Sequence, residues 1–90
     1  MQQRFTEGCA RDVRRQLAPK HARLVQLIGA AERELEAIGS DLEQARSAET
    51  RARLEQARED TAVQLAKHRR VCEFLSQQLE TARVSLGETA

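Results

Sequence analysis

The sequence predicts an all-α protein: an antiparallel, coiled-coil-like helical hairpin with a short N-terminal helix, folded as a small three-helix bundle or as a kinked hairpin. Three observations lead there. Of 90 residues, 32% are charged and 40% apolar, only two are aromatic, and Ala, Leu, Glu, Gln and Arg dominate, which is the composition of long amphipathic helices. Val and Ile are few and scattered (Val13, Val25, Ile28, Ile38, Val63, Val71, Val84), so a sheet would lack the side chains that pack a pleated surface. Two long stretches repeat apolar residues at alternating spacings of four and three, the heptad seam by which one helix packs on another.

Each element has its own signal. Phe5, Cys9, Val13 and Leu17 fall four apart and predict a first helix over about 3–17. Pro19 predicts its end, because proline has no amide donor and disfavours a helical Ala18. Proline also suits the first turn of a following helix. Leu17 is in phase with Leu24, which keeps a kinked continuation open. The second helix, about 20–46, carries the seam Leu24, Ile28, Ala31, Leu35, Ile38, Leu42, Ala45. Two places compete for the turn. Gly39-Ser40-Asp41-Leu42-Glu43 offers a helix-ending glycine and a capping box of Ser40 with Glu43. The seam, however, continues unbroken through Gly39 and fades between Ala45 and Leu54, which favours a turn at 46–50. The last helix, about 50–86, has the seam Thr61, Leu65, His68, Cys72, Leu75, Leu79, Ala82, Leu86, and residues 87–90 form a frayed tail. Pairs three or four apart, such as Glu49 with Arg53 and Glu80 with Arg83, support the helices by about 0.2–0.5 kcal/mol each. The whole is expected to be one helical domain.

Charge is polarised along the chain. Residues 1–31 carry net +4, residues 32–60 net −4 and residues 61–90 net +1, for the overall +1. Opposite charge on different segments can join them within one chain or steer each to a partner. Near-neutral total charge and the scarcity of aromatics argue against a nucleic-acid partner, which needs clustered Lys/Arg and stacking platforms. The longest apolar run, Leu27-Ile28-Gly29-Ala30-Ala31, is far short of the roughly 20 residues of a membrane span, and the N-terminus lacks the apolar core of a secretory signal. A cytoplasmic protein is therefore expected, with Cys9 and Cys72 as free thiols.

No enzyme pattern is present: no Gly-rich phosphate loop, nucleophile elbow or His-Glu-x-x-His. Neither catalysis nor a cofactor is expected. The sharpest local feature is His68-Arg69-Arg70-Val71-Cys72, where a His and a Cys four apart share a helix face, a spacing at which imidazole and thiolate can bind one Zn(II) or Cu(I). His68 and Cys72 are the only metal candidates, and both also occupy seam positions, where Cys acts as a small hydrophobe. Together with Arg23-Leu24-Val25-Gln26-Leu27-Ile28-Gly29, this pair resembles the small all-helical repressors that sense copper, nickel or formaldehyde. That resemblance implies an alternative function, a metal- or thiol-responsive DNA-binding repressor using His68 and Cys72. The chain departs from the family's pattern where a cysteine should open the second helix, since Leu42-Glu43-Gln44-Ala45 stands there.

The leading expectation rests on surplus. Val25, Leu27, Val63, Val71 and Phe74 widen the apolar stripes beyond what one antiparallel pair buries. These five are the candidate partner-binding residues of a helical interaction module, an adaptor, chaperone or assembly subunit. Its partner would be another protein's helix or a second copy of itself.

Overall fold

The computed structural model describes residues 6–87, and among these all regular structure is helical. Helix α1 spans Glu7–Gln44 and helix α2 spans Ala48–Ser85, 38 residues each, packed as a hairpin. Three residues connect them, Ala45, Arg46 and Ser47, a length that makes neighbouring helices antiparallel.

The separate N-terminal helix expected over 3–17, and with it the three-helix bundle, gives way to one helix that runs on through Pro19. The physical reason lies in the seam. Leu17, His21 and Leu24 are all half-buried in one phase, and a break at Pro19 would pull that row apart. Pro19 and the residue one turn before it, Arg15, are both exposed, so water can satisfy the carbonyl that proline leaves without its donor. The stripe Phe5-Cys9-Val13-Leu17 is corrected as well. Phe5 and the start of that helix at residue 3 lie outside the described residues. Cys9 is exposed, and its neighbour Ala10 is fully buried. A spacing of four overshoots a full helical turn by about 40° each time, so a 4-4-4 row winds off the packing face. Ala10 keeps heptad phase with Leu17 and Leu24.

Capping defines the ends. Thr6 Oγ1 accepts the Cys9 amide at 3.2 Å, and Glu7 sits in the first turn, where a carboxylate meets the positive end of the helix. No turn forms at Gly39: Ile38 and Leu42, buried on either side of it, would both leave the core. The turn falls at 45–47, at the near edge of the span where the seam fades. Its chemistry is a serine cap, the Thr50 amide donating to Ser47 Oγ at 3.0 Å. Helix α1 has no basic residue in its last turn, and Arg51 of α2 supplies one across the turn, donating to the Ala45 carbonyl at 3.4 Å. Beyond the end of α2 at Ser85 the chain turns through Gly87, whose φ of +72° a residue with a side chain rarely adopts, while the tail at 88–90 lies outside the described residues.

The chain divides into two compact units. The turn-proximal unit, residues 26–69, buries Ala31, Ile38, Leu42 and Leu65. Its register is antiparallel: Asp41 and Gln44 lie beside Thr50 and Leu54, Leu35 beside Glu55 and Ala62, and Leu27 to Glu34 beside Asp60 to His68. Arg69 reaches across to Glu32 at 3.3 Å. The terminal unit, residues 6–25 with 70–87, buries Ala10, Leu75 and Ala82 and joins its two helices through a 2.8 Å hydrogen bond between His21 Nε2 and Ser76 Oγ. Every seam position named from the sequence is buried or half-buried.

Candidate interaction surface

The five residues counted as surplus are all left outside the core. In the terminal unit Val25 is 52% exposed, Val71 49% and Phe74 58%. In the turn-proximal unit Leu27 is 38% exposed and Val63 48%. Heptad geometry explains it. One antiparallel partner covers the a and d rows, and these side chains lie off those rows. Phe74 shows this most sharply, because the next residue, Leu75, is 7% exposed; successive helical side chains point about 100° apart. Val71 and Phe74 are three apart on one helix and form a continuous apolar spot. Val84, 48% exposed, is a further such residue that the seam count passed over.

An open groove of about 280 Å³ lies between α1 and α2 in the turn-proximal unit. Leu27, Ala30 and Ala31 line it from one helix and Thr61, Gln64 and His68 from the other, with Glu34 and Asp60 adding two carboxylates. No sequence signal marked it, because its walls come from two segments about thirty residues apart in the chain. Asp60 accepts a 3.0 Å hydrogen bond from Gln56, whereas Glu34 makes no hydrogen bond or ion pair among the described residues.

The two metal candidates take ordinary seam places. His68 is half-buried on the groove wall, and Cys72 is a half-buried free thiol. Among the described residues, no three His, Cys, Asp or Glu side chains gather as a metal site requires. Several arginines pair with acids: Arg11 with Glu7 at 2.6 Å, Arg15 with Asp12, and Arg69 with Glu32. Glu80 is held below the usual carboxylate range, first by its hydrogen bonds from Arg83. Glu80 is exposed and Arg83 half-buried, an i,i+3 pair on the helix surface. No helix among the described residues is long and apolar enough to cross a membrane.

No protein-family model matches the chain, and no curated protein or solved structure matches it either.

Proposed function

We propose that this chain is a cytoplasmic helical interaction module, an adaptor, chaperone or assembly subunit that binds a partner helix or a second copy of itself. The carrying observation is that Val25, Leu27, Val63, Val71 and Phe74 are all between 38% and 58% exposed in a protein whose seams are already paired. Small cores gain stability by association, and an amphipathic helix face offers anchors at i, i+3 and i+4.

Site-specific photo-cross-linking tests it. A photoreactive side chain at Phe74 or Val71 should give one defined covalent adduct in the source cells, while the same group at exposed Glu36 or Arg53 gives none. Adducts of equal yield at all four positions, or at none, would remove the proposal.

A further inference from the structure

Resting on that reading, we infer that the partner is a second copy of this chain: the apolar spot Val71/Phe74 of one copy seats in the groove beside Leu27 and Ala30 of another, with Arg70 of the first against Glu34 of the second. Four observations carry it. The groove, about 280 Å³ and open to solvent, is walled on one side by Leu27, Ala30 and Ala31, against which an inserted apolar side chain can pack. Phe74, the one aromatic among the described residues, is 58% exposed, and Val71, one turn away, is 49% exposed. Aromatic side chains are the usual anchors of such contacts.

Charge then selects the pairing. The terminal unit carries seven basic and four acidic residues among those described, net +3, and the turn-proximal unit seven and nine, net −2. At the contact itself, Arg70 is one helical turn from Phe74 and makes no hydrogen bond or ion pair among the described residues; the same holds for Glu34 at the groove. Each thus offers a charge that the isolated chain leaves to water. Joining them across copies orients the encounter and fixes its register. Two copies of the same face, or of the same groove, would instead bring like charges together.

The test is sedimentation equilibrium of the full chain under reducing conditions, from 1 to 500 μM. Wild type is expected to associate, and to do so more weakly as salt is raised. Glu34→Arg and Arg70→Glu, both at exposed positions, should each weaken association at least tenfold while leaving the helical circular dichroism unchanged. Mixed one to one, or combined in one chain, the two changes should restore it, because the swapped charges again face each other. Phe74→Ala should weaken association in either background. A wild-type chain that stays monomeric throughout, or association indifferent to both charge reversals, overturns the inference. In that event an adduct of Phe74 with a different protein would leave the interaction-module reading standing, and the absence of any adduct would end both.

Discussion

Helices α1 and α2 are equal in length and pack on each other, yet they distribute their apolar residues differently. Those of α1 gather more strongly on one side of the helix than those of α2. Of the six large apolar residues left exposed among those described, Val25 and Leu27 belong to α1 and Val63, Val71, Phe74 and Val84 to α2. Helix α1 therefore leaves fewer of its large apolar residues uncovered than α2 does. Helix α2 serves the same seam and carries a second, uncovered set. The difference teaches that a heptad row specifies a partner only for its own face, and that residues off the row are where further association has to be sought.

The comparison can be broken most forcefully within α2 itself. Leu75→Ala should lower unfolding stability by about 2–5 kcal/mol, the range for emptying a core leucine. Phe74→Ala, one residue away, should stay within about 0.5 kcal/mol for the monomer, as surface changes do. Chemical denaturation at concentrations below self-association measures both. Similar losses for the two would mean that Phe74 is part of the core and that α2 has no spare face.

A change of intermediate size probes α1. If its one-sided packing is what carries the helix across Pro19, then Pro19→Ala removes a defect without touching the seam. Stability should rise by about 2 kcal/mol, which is the cost of an interior proline less what its rigidity saves in the unfolded chain. Thermal melts would register the gain. A loss would show that the proline's geometry is built into the fold.

The smallest expected effect concerns how α2 begins. Ser47→Ala deletes the acceptor of the Thr50 amide and should cost about 1 kcal/mol. Amide exchange should rise most in residues 48–51, and unchanged exchange there would mean that the turn is held by the helices on either side.

Much of this was legible in the residues. The spacing of Leu24 through Ala45 and of Thr61 through Leu86 marked both packing faces, and residues too many for one seam marked Val71 and Phe74 as spare. At Pro19 the local chemistry left a separate first helix and a continued hairpin both open, and at Cys9 the four-residue spacing misled. Proline's missing amide is a local penalty of about 3 kcal/mol, and only the burial of Leu17, His21 and Leu24 along one helix outweighs it. The fading seam points to the turn, and its serine cap, Ser47 with Thr50, is a local signal that the seam does not carry.

The groove beside Glu34 and Asp60 belongs to another category. No periodicity within a single helix can reveal a site whose walls meet only when two helices pair. By itself the sequence determined the helical class, the two seams and the surplus apolar set, because these follow from the 3.5-residue repeat along one strand of chain. Only the tertiary structure decided that α1 is continuous, that His21 bonds Ser76, and which charges stay unpaired. Those outcomes depend on what each residue meets across the hairpin, and the order of residues along one helix does not contain that information.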